Sequence, residues 1–161
     1  MVKMLKEDKE KYSVIVYDNL SKGHREAVKE TEFIEGDLGD TEKISQTLSR
    51  YKIDAVMHFA AFTEVGESVK EPAKYYDNNV VAINALLNAM VKLGVKYFVF
   101  SASAATFGEP KAAKIDEAHP QKPINPYGAT KLVVDRRVRD DDTAYGVQSA
   151  GLISCNAAGC E

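Results

Sequence analysis

"DAVMHFAA", residues 54–61, decides how this chain folds. Its apolar residues fall on both faces instead of alternating with polar ones. A strand with one solvated face alternates, whereas a parallel strand covered by helices on both sides reads as a continuous apolar run. Working outward, "DTEKISQTLSRY" (40–51) precedes it, with Ile44, Leu48 and Tyr51 at helical spacing and Asp40 or Thr41 placed as the cap. "EPAKYYDNNVVAINALLNAMVKLG" (71–94) follows it as a long helix, with Pro72 in the first turn and Gly94 as the stop. "KYFVFSAS" (96–103) then repeats the strand character, "NPYGATKLVVDRRVRDDD" (125–142) opens a further helix, and "VQSAGLIS" (147–154) reads as a strand. Upstream, "SVIVYD" (13–18) and "TEFIEGD" (31–37) are strands that end in turn residues, and "MVKMLKEDKEKY" (1–12) is a short helix or a frayed terminus. Strands alternate with helices, so the expected fold is α/β, a Rossmann-like doubly wound parallel sheet in a single domain over residues 1–161.

Bulk properties narrow the function. With 161 residues, 45% hydrophobic and 28% charged, the composition is that of an ordinary globular domain. A formal net charge of −3 gives no reason to expect nucleic acid or a membrane surface as a partner. No apolar run approaches the roughly 20 residues of a membrane span, and no signal peptide is apparent, so a cytoplasmic protein is expected. Cys155 and Cys160 have no histidine cluster near them, and they suit two reduced thiols better than a disulfide or a zinc site; no metal is expected.

In a doubly wound sheet, ligands gather at the C-terminal ends of the strands. Asp18, Asp37, the run Phe59-Ala60-Ala61 and Ser103 all fall there. A carboxylate at Asp18 can accept hydrogen bonds from ribose hydroxyls and repel a 2′-phosphate, or it can simply start a turn with Asn19. Asp37 can meet an adenine amino group or cap the next turn. Tyr127 and Lys131 stand four apart on one helix face. A phenol whose ordinary pKa is near ~10 becomes a usable base when an ammonium stands beside it. Tyr-x-x-x-Lys also arises by chance on helices, and from the pair alone both readings stay open.

The ordered set "VYDNLSKGHREAV" (16–28), "FIEGDL" (33–38), "VMHFAAFTEVGESVKEPAKYYDNNV" (56–80), "YFVFSASAATFGEP" (97–110) and "NPYGATKL" (125–132) resembles the UDP-glucose (UDP-galactose) 4-epimerases of the extended short-chain dehydrogenase/reductase superfamily. The resemblance covers about residues 12 to 154. It implies Tyr127 as the catalytic base, Lys131 as its partner and a holder of the nicotinamide ribose, and Ser103 as the catalytic serine. Asp18 and Asn19 correspond to the adenosine-ribose contacts, and Asp37 and Leu38 to the adenine contacts. Phe59, Ala60, Ala61, Thr63 and Asn78 match positions beside the NAD cofactor, and Asn156 matches a nucleotide-sugar contact. The implied reaction oxidises C4 of a UDP-hexose, turns the 4-keto sugar and returns the hydride to its other face. Sugar-nucleotide 4,6-dehydratases carry an Asp-Glu pair just after the catalytic serine or threonine; Ala104 and Ala105 stand here instead.

The sequence also departs from that pattern. None of its ten glycines forms G-x-G-x-x-G, and "GDLG" (36–39) continues to Glu42 where a third glycine would stand. Measured against the family, the chain starts inside the first helix, without the usual first strand and its glycine-rich loop. At the other end the resemblance fails in "SAGLISCNAAGCE" (149–161), and the C-terminal substrate lobe is not represented. The expectation is therefore a partial NAD-binding domain with little turnover of its own. The alternatives are a non-catalytic nucleotide-binding remnant, or another sugar-nucleotide epimerase or decarboxylase. A sheet without its middle strand has two apolar edges, so a homo-oligomer or a rearranged sheet is expected.

Overall fold

A computed structural model describes residues 1–8, 10–110, 115–116 and 118–154. Five strands, β1 (Ile15–Asp18), β2 (Glu32–Glu35), β3 (Ala55–His58), β4 (Tyr97–Ser103) and β5 (Gln148–Ser154), alternate with six α-helices. The helices are α1 (Val2–Glu7), α2 (Thr41–Arg50), α3 (Val65–Lys70), α4 (Pro72–Tyr76), α5 (Ala82–Leu93) and α6 (Pro126–Tyr145). All pairings are parallel, and the expected α/β class is correct.

The strands form two separately hydrogen-bonded sheets, β1-β2 and β3-β4-β5. Ile15 pairs with Glu32 in the first; Ala55 pairs with Tyr97 and Phe100 with Gly151 in the second. The expected rearrangement is not found: among the described residues β1 pairs only with β2, and β3 only with β4. The reason lies in the helix layer. Helix α2, which carries the chain from β2 to β3, buries Ile44 and Leu48 in one cluster with Ile83, Leu86, Leu87 and Met90 of α5. Phe98 and Phe100 of β4 and Val134 and Val138 of α6 complete that cluster. Each such side chain contributes roughly 1.5–3 kcal/mol by leaving water. Sliding β1 against β3 to gain a few backbone bonds would pull this core apart.

Local signals explain most boundaries. Asp40 is the cap of α2, its Oδ1 accepting from the Lys43 N–H at 3.0 Å. Gly94 ends α5 in the left-handed region at φ 74°, as its position as a stop predicts. The expected single helix over 71–94 is interrupted: residues Asp77–Val81 form a π-helical turn between α4 and α5. Helix α3 lies between the expected third strand and the expected long helix, where the sequence reading placed no element. The third strand is shorter than its apolar run, because Phe59-Ala60-Ala61 leave the ladder after His58. Strand β5 was expected to be covered like the others, yet it is exposed along its whole length.

His58 ends β3 at 5% exposure, beside Phe98 and Phe100 with ring centroids 6.1 and 6.0 Å away. Burial, and then the Lys131 ammonium, pushes its pKa down from 6.5 to about 3. The unfolded chain therefore binds this proton more tightly than the folded one. Stability is lost as pH falls from 6.5 toward 3. His58→Phe should shrink the drop in unfolding free energy between pH 7 and pH 4 by about 2–3 kcal/mol relative to wild type, read by urea denaturation at both pH values.

Candidate active site

Strand β4 delivers Ser103 to its C-terminal end, where the residue is 9% exposed. The Ser103 hydroxyl accepts from the Ala105 N–H at 3.2 Å and caps a short 3-10 turn over Ala104–Thr106. Helix α6 begins beside that turn. Asn125 is its cap, with Oδ1 accepting from the Gly128 N–H at 2.8 Å, and Pro126 follows as the first helical residue. Gly128 is needed for closeness: a Cβ there would drive into the carbonyl oxygen of Ala105 and meet Pro123 at 3.1 Å. The first turn of α6 is thereby pressed against the turn that follows Ser103.

One helical turn further, Lys131 is 4% exposed and donates from Nζ to the Ser101 carbonyl at 2.9 Å. Its ammonium also stands 4.9 Å from the centre of the Phe100 ring. Burial lowers its pKa from 10.5 to about 8. Tyr127, half-buried in the first turn, lies four residues before it on the same helix. Ser103 and Lys131 are thus both fixed to the end of β4. The Tyr127 hydroxyl makes no hydrogen bond among the described residues, to either of them or elsewhere.

A cleft of about 180 Å³ opens at the ends of β1, β2 and β3, between the two sheets. Asp18, Asn19, Asp37, Leu38, Phe59, Ala60, Ala61 and Asn78, eight of the residues singled out beforehand, form its wall. Thr63 and Lys131 are not part of that wall. Asn156, like Cys155 and Cys160, lies outside the described residues. The turn reading of Asp18 is met by Oδ1, which accepts from the Leu20 N–H at 2.7 Å. Asn19 donates to Asp37 Oδ2 at 2.7 Å, and Asp37 Oδ1 accepts from the Gly39 N–H at 2.7 Å. Tyr17, Lys22 and Phe62 also line the cleft and were not anticipated. Tyr17 and Phe62 sit next to predicted strand ends, and that adjacency was the available signal; Lys22 lies further along the loop after Asp18. The Tyr17 hydroxyl donates to the Asp37 carbonyl at 2.9 Å, and burial followed by Asp40 and Asp37 pushes its pKa up to about 12. Among the described residues no three acidic, histidine or cysteine side chains group as metal ligands, and no helix is long and apolar enough to cross a membrane.

The sequence model of the GDP-mannose 4,6 dehydratase family matches residues 1–161. The chain belongs to this family. Its curated relatives include the UDP-glucose 4-epimerase of Lactobacillus helveticus, 50% identical over 152 residues, covering 94% of this chain and 46% of the relative. The UDP-glucose 4-epimerase of Rhizobium meliloti (strain 1021) is 46% identical over 150 residues, covering 93% and 46%. A crystal structure of the Brucella ovis UDP-glucose 4-epimerase in complex with NAD superposes with a TM-score of 0.91 at 44% identity, covering 95% of this chain and 47% of that one. The chain spans about half the length of the curated relatives it matches. Family membership also makes the fold Rossmann-like.

Lys131 binds its proton less tightly when folded, at about 8 against 10.5. Below pH 8 that cost is present in full; it disappears as pH rises from 8 to 10.5, so this residue makes stability climb over that window. Lys131→Met keeps the packed stem and removes the charge. It should stabilise the chain by about 1–2 kcal/mol at pH 7, after allowing for the lost bond to Ser101, and by clearly less at pH 10. Urea midpoints at the two pH values check this.

Proposed function

We propose that this chain is the dinucleotide-binding and proton-transfer portion of an NAD-dependent UDP-hexose 4-epimerase, acting on UDP-glucose and UDP-galactose. The observation that carries the reading is the end of β4: Ser103 and Lys131 are held there beside the Tyr127 turn, and alanines follow the serine. Without a carboxylate at 104 or 105, elimination of water has no acid to drive it, and a reversible oxidation at one carbon remains. The relatives named as UDP-glucose 4-epimerases, one of them solved with NAD, support the same choice over the dehydratase for which the family is named.

The donor set suits the adenosine half of NAD. Asp18 has Oδ2 left for ribose hydroxyls, and its charge opposes a 2′-phosphate. Phe59, Ala60, Ala61 and Leu38 offer apolar walls, and Lys22 supplies a cation in the cleft. Asn78 would stand on the cofactor side, and Lys131 would reach the nicotinamide ribose. NAD, when bound, supplies the hydride acceptor and donor. Tyr127 takes the proton from the sugar hydroxyl and later returns it; the Ser103 hydroxyl binds the same oxygen, and the Lys131 ammonium favours the phenolate. Thr63 and Asn156 complete the expected contacts, the latter toward the nucleotide sugar. The open edges of β1 and β3 support association with a further strand, in a second copy of the chain among other sources.

Conversion of UDP-galactose, followed by a coupled assay, should fall about 10²- to 10⁴-fold in Tyr127→Phe. Equal rates would remove Tyr127 from the chemistry. Calorimetric titration with NAD separates the epimerase reading from a remnant that retains only the fold. Light scattering across a dilution series should show a mass above that of the monomer; monomer mass at every concentration would count against self-association.

A further inference from the structure

The functional reading uses Tyr127 and Lys131 but leaves unexplained the residue between them that is buried most completely. Thr130 is 0% exposed. Its hydroxyl donates to the Tyr127 carbonyl at 2.7 Å and accepts from Asn79 Nδ2 at 3.3 Å. Asn79 is itself 3% exposed and sits in the π-helical turn, 51 residues away in sequence. Its amide is fully used. Nδ2 also donates to the Phe62 carbonyl at 2.9 Å, and Oδ1 accepts from the Phe62 N–H at 2.9 Å and from Asn78 Nδ2 at 2.9 Å. The side chain therefore grips Phe62 as a neighbouring strand would, just where the chain has left the ladder of β3 and needs partners for its backbone groups.

We propose that Thr130 is a positioning residue, which with Asn79 ties the wall of the nucleotide cleft to the start of α6, which carries Tyr127 and Lys131. This rests on the assignment of those two residues to proton transfer. Three segments meet in the link: Phe62 beyond β3, the π turn with Asn78 and Asn79, and the start of α6. A valine of the same shape would bury no new charge and leave no cavity, yet it would strip Asn79 of one partner and the Tyr127 carbonyl of its side-chain donor. The widened turn is what lets adjacent asparagines divide the work, Asn78 lining the cleft while Asn79 is buried. Because Asn79 accepts from Asn78 Nδ2, the amide of Asn78 is turned so that its remaining carbonyl oxygen is free for a ligand's donor.

The test uses the ligand-free chain, so that it does not depend on turnover. Amide hydrogen exchange at Phe62 and the NMR titration of the Lys131 side chain are compared in wild type, Thr130→Val and Thr130→Ser. Thr130→Val should speed exchange at Phe62 about 3- to 10-fold, while the slowest core amides, such as those of Leu87 and Phe98, keep their rates. The Lys131 midpoint should move up from about 8 toward the ordinary lysine value as water reaches a loosened turn. Thr130→Ser, which keeps the hydroxyl, should restore both readings. If Thr130→Val leaves Phe62 and Lys131 unchanged, or if it accelerates all core amides together, the positioning role is wrong. Should Thr130→Val fail to fold, Thr130→Ala is read in the same way. Titration of the wild type with NAD tests the underlying functional reading separately, since failure to bind there would leave the ligand-free comparison intact.

Discussion

The packing of α2 against α5 holds together two sheets that, among the described residues, share no strand ladder. Ile44 and Leu48 on one helix, with Ile83, Leu86, Leu87 and Met90 on the other, place β1-β2 and β3-β4-β5 on either side of one cleft. Hydrophobic burial is non-directional, so it can set this spacing without a backbone ladder between the sheets. The strand ends then face a common space, and Asp18 and Asp37 from one sheet come to oppose Phe59, Ala60 and Ala61 from the other.

The end of β4 shows how stability and chemistry compete. An ammonium taken out of water at Lys131 costs free energy, and a single carbonyl acceptor and one aromatic face offset only part of it. His58 is kept neutral nearby by the same dryness. In the proposed reading this ammonium stands next to the reacting oxygen, where its field is strong because the region has a low dielectric. Gly128 serves the same end from the backbone side, since only a residue without a Cβ lets α6 approach Ala105 this closely. The family's sequence model carries the name of a dehydratase, while two alanines follow Ser103, and the proposed epimerase reading rests on that difference. Family membership fixes the scaffold, and the particular side chains choose among its reactions.

Much of this was legible in the order of residues. Periodicity located the strands and the long helices, and the caps at Asp40, Asn125 and Gly94 sit where their residue types and φ preferences put them. Asp18, Asp37, Phe59, Ala60 and Ala61 were found because strand ends can be read from where an apolar run meets a turn residue, whereas Asn19, Leu38 and Asn78 came from the family resemblance. The misses share a cause. Helix α3 is short and has only Ser68 buried, so it has no periodic signature. The π turn leaves the helical pattern of "YYDNNVVAINALL" nearly intact, because one extra residue per turn shifts the phase without breaking it. Asn79 and Thr130 look like ordinary polar residues on helices until their partner 51 residues away is known.

The sequence alone therefore determined the class of the fold, the positions of its strands and longer helices and the residue types able to do chemistry. Each of these rests on local physics: period, capping, turn preference and the reactivity of a named side chain. Only the tertiary structure decided that the sheets stay separate, that Lys131 lies dry against Ser101, that Gly128 permits contact with Ala105, and that Phe62, Asn79 and Thr130 form one link. Those are consequences of burial and of distances between segments far apart in the chain. Neither quantity exists until the core formed by α2, α5, α6 and β4 has closed.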